Sequence, residues 1–451
     1  MKRFKLLVGI AILVALLIPA LAFANVTSYT SGFQLQNLTA STANVTITFY
    51  NQDGTQAASV SDTITANGSN TYYPLSAVTS GFNGSVVVSS DQQVAAIANV
   101  LGNNGAYGAS YIGFSQGATT VNLPLVMKDN YGISTWFNVQ NTGSANATVN
   151  VTFAGSSCTG SATVAPNASA TFDQATDSCL SSGYVGAATV TSDQPVAVVV
   201  MQVTSDSQGL MPNLLAYNGF TTASTAPVMP LVSSGYYNSG TGIQIQNTGT
   251  VDTDVTVTYT PSAGFPGNTC TEQKTIPAGN SVTFGFPTLP SSCYTDAGSA
   301  GSAAFVGSAQ VTANTASQNL VAIVNQVTTG TSNAAAYGAF NSADATTQVS
   351  LPLIMDNNYG LFTGFSVANV GTAATDITCT FSGTSYTASA TNVQPGEALT
   401  DVQLGKIADG YVGSATCTST GEPIAAVVNQ LNNGSVIPVE DGLLVSEGIN
   451  Y

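Results

Sequence analysis

Apolar and polar positions alternate with a period of two along most of the chain. Val149, Val151 and Phe153 interleave with Asn150 and Thr152, and Val255, Val257 and Tyr259 interleave with Thr256 and Thr258. Successive strand side chains point to opposite faces, so this pattern predicts half-buried strands. Val196-Ala197-Val198-Val199-Val200 is apolar without interruption, as expected of a strand covered on both faces. Ser192-Asp193-Gln194-Pro195 and Ser90-Asp91-Gln92-Gln93 predict turns. Asn141-Thr142-Gly143 and Asn247-Thr248-Gly249 predict hairpins, because Asn and Gly tolerate positive φ. No stretch has the period of an amphipathic helix. About seven or eight short strands per hundred residues predict an all-β chain built of Ig-like β-sandwiches.

The pattern also repeats at long range. Gly32-Phe33-Gln34-Leu35-Gln36-Asn37 returns as Trp136-Phe137-Asn138-Val139-Gln140-Asn141, Gly242-Ile243-Gln244-Ile245-Gln246-Asn247 and Gly364-Phe365-Ser366-Val367-Ala368-Asn369. A second block follows each time, at Gly84-Ser85-Val86, Gly186-Ala187-Ala188, Gly307-Ser308-Ala309 and Gly413-Ser414-Ala415. A third, Leu-Pro-Leu or Met-Pro-Leu, opens only three units, at Leu123, Met229 and Leu351. Recurring ordered blocks mark tandem units. The expected division is 25–122, 123–228, 229–350 and 351–451, four Ig-like repeats.

The first 24 residues read as a leader. Met-Lys-Arg-Phe-Lys is a basic start, Leu6 to Ile18 is apolar, and Ala22-Phe23-Ala24 fits a signal-peptidase site, which predicts a mature chain beginning at Asn25. Residues 1–24 are therefore expected to be a cleaved signal peptide, leaving a secreted chain with no membrane span. Cleavage there would leave the first unit without the strand that Leu-Pro-Leu supplies to the others. An edge-strand gap exposes unpaired backbone groups, and strand donation fills such gaps. Either the first unit is a capping repeat that tolerates an open or differently covered edge, or Ile437-Pro438-Val439 or Leu443-Leu444-Val445 of a second copy is the donor, in a head-to-tail polymer.

Val139-Gln140-Asn141-Thr142-Gly143 running on to Val149-Asn150-Val151 resembles the hairpin of CARDB-like Ig domains of bacterial and archaeal cell-surface proteins. Ile245-Gln246-Asn247-Thr248-Gly249 with Val255-Thr256-Val257 does so again, whereas the first unit departs from it with Leu38-Thr39. The resemblance covers one hairpin per unit. It implies an extracellular structural or adhesive role and brings no catalytic residues.

Six cysteines fall two to a unit outside the first unit: Cys158 and Cys179, Cys270 and Cys293, Cys379 and Cys417. An even count in an exported chain predicts one disulfide in each of three units. Aligning the blocks places Cys379 at the position of Ile47, Val151 and Val257, and Cys417 at that of Val88, Val190 and Val311. Each apolar pair is thus expected to touch across the core, as the cysteines must.

Charge narrows the function. Six Lys+Arg stand against 22 Asp+Glu, with no His and a net charge of −16. Nucleic acid is excluded, because its binding rests on basic side chains neutralising phosphates. His-dependent triads and His-ligated metals are excluded too. With no His, no side-chain transition is expected between pH 5 and 8. Carboxylates at Asp129, Asp173, Asp177, Asp252, Asp254 and Asp356 could ligate Ca²⁺, or simply start turns; no other cofactor is implied. The expectation is a non-enzymatic structural protein of the cell exterior, a subunit of a filament, sheath or surface layer. The alternative is an adhesin that holds a glycan or protein partner, with Trp136 or Tyr236-Tyr237 as contacts; Trp136 sits in a strand block and reads better as core.

Overall fold

The chain is all-β. A computed structural model describes residues 10–14, 26, 28–204, 213–295, 304–314, 318–433 and 441–451. Most of the expected leader, 1–9 and 15–24, therefore lies outside the described residues. Among those described, every helical element is a three-residue 3-10 turn. Ladders join strands only within 10–112, 118–218, 227–341 and 348–450, hereafter the first to fourth units.

The first and fourth units are each two facing sheets. In the second unit one strand, Tyr184–Thr204, ladders with both Ala147–Phe153 and Ile133–Asn141 and so joins them in one seven-stranded sheet. At the turn expected over Ser192-Asp193-Gln194-Pro195 the strand runs on but its ladder jumps from Thr191 to Val196, while Ser90-Asp91 ends the counterpart in the first unit. Alternation sets the cores. In Ala147–Phe153 the odd positions are buried and the even ones exposed, and the same holds for Thr375–Phe381.

The recurring Asn works differently from the expectation. Asn37, Asn141, Asn247 and Asn369 are fully buried, and none has positive φ. Asn141 Nδ2 donates to Ala145 O and Val164 O, and its Oδ1 accepts the Gly143 N–H. Asn247 and Asn369 repeat all three bonds. In the first unit Thr39 N–H replaces the glycine N–H, which is why Leu38-Thr39 is tolerated there. The Asn side chain, by satisfying three buried backbone groups, pins the hairpin.

The three disulfides are Cys158–Cys179, Cys270–Cys293 and Cys379–Cys417. Cys379 and Cys417 are cross-strand neighbours in one sheet, and Ile47/Val88, Val151/Val190 and Val257/Val311 hold the same register. The aligned pairs meet side by side within a sheet, and the expected contact across the core is corrected accordingly. A cross-strand position accepts either an apolar pair or a bridge, since both need neighbouring Cβ atoms.

The units close on one another. The last long strand of each unit, Tyr107–Ile112, Leu214–Asn218, Ala334–Gly338 and Leu443–Glu447, packs against its counterparts on both sides, so that the four surround a common axis. Amides stitch the seams. Gln202 and Asn325 exchange reciprocal bonds of 2.9 and 2.7 Å between the second and third units. Asn429 donates to Gln326 between the third and fourth, and Asn99 to Gln430 between the first and fourth. Gln140 Nε2 donates to Ser85 Oγ, 2.6 Å away, between the first and second. Trp136, 1% exposed, belongs to the apolar core shared by the first and second units.

Candidate functional site: the ring axis and the incomplete first unit

The four axial strands begin at Gly108, Leu214, Ala334 and Leu443, or one residue before. At that end lies Asp441, fully buried. Its Oδ2 accepts N–H from Gly108 and Leu214, each at 3.2 Å, and its Oδ1 accepts Ala334 N–H at 3.3 Å. The Leu443 N–H completes the set. One carboxylate thus collects a backbone donor from every unit. Burial pushes its pKa well above the ordinary carboxylate value, and the four N–H donors oppose that rise.

At the other end the strands finish at Ile112, Asn218, Gly338 and Glu447, four equivalent positions of which one is charged. A cavity of about 370 Å³ opens there, bordered by Phe114, Phe220, Phe340 and Asp344 as well as Glu447. Glu447 is 7% exposed, and its Oε1 accepts the Gly338 N–H. Burial pushes the carboxyl pKa up to about 7, against that hydrogen bond. Desolvation thus places this carboxyl in the range where a histidine would otherwise be the titrating side chain. Neither Asp441 nor Glu447 stands out by motif. Their only signal is that they flank Leu443-Leu444-Val445, a run apolar enough to carry its neighbours inside.

The carboxylates singled out for Ca²⁺ accept hydrogen bonds from backbone N–H or side-chain hydroxyl groups of the chain. Asp356 is fully buried and accepts N–H from Gly405, Lys406 and Ile407. Asp252 accepts Ala278 N–H, and Asp254 accepts Thr275 Oγ1–H. Asp129 accepts Ser182 Oγ–H; Asp173 and Asp177 hold turn N–H groups of Ala175 and Cys179. Among the described residues no three such side chains group as a metal site. Tyr237, 82% exposed, has equivalents in Tyr131 and Tyr359, each with positive φ at the tip after a unit's first strand.

The first strands themselves are Ala118–Lys128, Pro227–Ser234 and Gln348–Asp356. Each ladders with the strand carrying the second sequence block, with Leu123 opposite Ala188, Met229 opposite Ala309 and Leu351 opposite Ala415. In the first unit Ile10–Val14 takes this place, with Val14 opposite Val86 and Ile12 opposite Val88. Residues 10–14, within the expected leader, thus lie on the ladder that cleavage after Ala24 would vacate. Of the donor candidates, Ile437 and Val439 lie outside the described residues. Leu443, Leu444 and Val445 are corrected: they ladder with Asn429, Gln430 and Leu431 and are buried at the ring axis, so they are not free to be donated.

Residues 21–174 are similar to a family of unknown function, DUF5719, which covers about a third of the chain. No curated protein matches. Among solved structures, the FN1-FN3 domains of chicken CNTN1 align at 11% identity over 69% of this chain and 94% of that one, with a TM-score of 0.08, too low to carry an argument. Among the described residues no helix is long and apolar enough to cross a membrane.

Proposed function

We propose that this is a non-enzymatic structural protein of the cell exterior, exported by a cleaved leader and assembled with copies of itself. The observation that carries this reading is Asp441, which ties all four units at one point. A chain that spends its buried polar groups on seams between units is built as a rigid block. Three disulfides and the scarcity of Lys and Arg add resistance to reduction-independent unfolding and to trypsin-like proteases. Electron microscopy of the exported protein tests it: a regular polymer or lattice is expected, and monodisperse particles at every concentration would end it. A second reading, an adhesin, is favoured by the three exposed tyrosines at equivalent tips. It predicts that Tyr131→Ala, Tyr237→Ala and Tyr359→Ala together abolish surface binding without changing assembly.

A further inference from the structure

The four axial strands end in the same way. Just past Ile112, Asn218, Gly338 and Glu447, one residue in each unit donates its N–H to the neighbouring strand. Gly113 donates to Ala96 O at 2.9 Å, Gly219 to Val198 O at 2.8 Å, Ala339 to Ala322 O at 2.8 Å and Gly448 to Ala426 O at 2.7 Å. The residue after that is Phe114, Phe220, Phe340 and Ile449 in turn. These four equivalent residues all border the cavity of about 370 Å³ at that end of the axis. Phe114 is buried and the other three are half-buried. Three units thus bring a phenylalanine to the opening and the fourth an isoleucine.

Into these apolar walls the fourth unit sets a carboxylate. Glu447 is 7% exposed, and among the described residues the Gly338 N–H is the one donor it takes from another residue. Asp344, exposed and bonded to the Asn341 amide, adds a second negative charge, and no Lys or Arg borders the cavity. A Cβ on Gly338 would stand 3.0 Å from Phe220 Cζ and 3.3 Å from Glu447 Oε1, so the ring tip and the carboxylate oxygen flank one point. A carboxylate withdrawn from water with so few donors is costly until a cation meets it.

The surroundings select the kind of cation. A hard metal ion takes six or more oxygen ligands, and among the described residues no three acidic side chains group to supply them. A neutral apolar molecule would fill the space and leave the carboxylate unpaired. A pocket of this size, mostly apolar with one sunken charge, suits a small molecule that carries both characters. We propose that this end of the ring axis binds an organic ammonium ion, whose N–H groups donate to the Glu447 carboxylate and whose apolar body rests against Phe114, Phe220 and Phe340. A free alkylamine and a lysyl side chain of a partner offer the same chemistry. The proposal does not depend on self-assembly.

The test is calorimetric titration of the full exported chain at constant ionic strength and pH 8, where the carboxyl is ionised and the amine protonated. Saturable binding of n-butylammonium is expected, with n-butanol and sodium ion each at least about tenfold weaker, since hydrogen bonds to a charged group supply the difference. Glu447→Gln keeps an acceptor for the Gly338 N–H and is expected to lose about tenfold or more in amine affinity. If that variant does not fold, the comparison of amine with alcohol on the parent chain decides alone. The blocked peptide acetyl-Gly-Lys-Gly-amide separates the two sources: its exclusion assigns the site to free amines, and its binding as tightly as the amine assigns it to a lysyl side chain. Equal affinity for n-butylammonium and n-butanol, undiminished binding by a folded Glu447→Gln, or no saturable binding of the amine overturns the proposal, and none of these outcomes bears on the structural reading above.

Discussion

The two ends of the ring axis are made by the same four strands and hold one buried carboxylate each, yet they are opposite in character. Asp441 has a backbone donor from every unit. Glu447 has one donor from a neighbouring unit and faces a cavity. Burial raises both pKa values, but the hydrogen bonds differ in number. A carboxylate with its lone pairs filled ties together every unit that donates to it, whereas one with a single donor across a seam ties only two. The same residue chemistry thus gives a four-way tie at one end and a carboxyl beside a cavity at the other.

The largest effect is expected at the four-way tie. Asp441→Ala leaves axial N–H groups from all four units without an acceptor, at about 1–3 kcal/mol for each that stays dry. A loss above roughly 3 kcal/mol is expected in denaturant unfolding, with the seams opening before the individual sandwiches. Asp441→Asn keeps an acceptor and is expected to lose less. Equal stability of Asp441→Ala and the parent would remove the distinction between the two ends.

Next comes pH. The folded state raises the Glu447 pKa from 4.5 to about 7, so it binds the proton more tightly than the unfolded chain does. The associated stability is fully present below about pH 4.5 and is lost as pH rises through about 7, an effect on the order of 3 kcal/mol. Glu447→Gln cannot ionise, so its stability is expected to fall less than the parent's across that window and to exceed the parent's at pH 8. Melting temperatures between pH 4 and 8 decide it; parallel curves for the two proteins would show that Glu447 does not titrate there.

A smaller effect is expected at the seams. Gln202→Ala leaves the Asn325 amide without its reciprocal partner, at about 1–2 kcal/mol. Asn325→Ala added to it should cost little more, because the pair acts as a unit. A double-mutant cycle showing simple additivity would mean that water replaces the clasp.

How much of this was legible from sequence follows from the kind of physics involved. Alternation at Ala147–Phe153 and block spacing read the strands directly, because side-chain period is a local property. The cysteine spacing likewise pointed to pairs inside units. The Asn of each hairpin was visible but misread: its composition suggested a positive φ, while its side chain in fact bonds groups up to 29 residues away. Ser192 to Pro195 carry turn residues and fall where the ladder with Ala118–Lys128 breaks register between Thr191 and Val196, so the turn chemistry shows as an irregularity within the strand Tyr184–Thr204. The axis was not legible at all. Asp441 and Glu447 gain their roles from strands of other units more than 100 residues away, and no local pattern encodes that meeting.

The smallest expected effect sharpens the open end. Of the four equivalent terminal positions, Gly338 is the one without a side chain, and its N–H is the donor to Glu447. Its φ is not in the left-handed region, so an added Cβ brings no backbone strain. That Cβ would stand 3.0 Å from Phe220 Cζ and 3.3 Å from Glu447 Oε1. The ring tip must yield by a few tenths of an ångström, which for one methyl group at a cavity edge costs about 1 kcal/mol. The same methyl takes water from beside the carboxylate, so Gly338→Ala should move the Glu447 transition to higher pH without altering the donor bond. Carboxyl titration followed by NMR in the variant reads this directly. A transition that moves to lower pH would mean that the glycine serves to admit the backbone alone, with water access to Glu447 set elsewhere around the cavity.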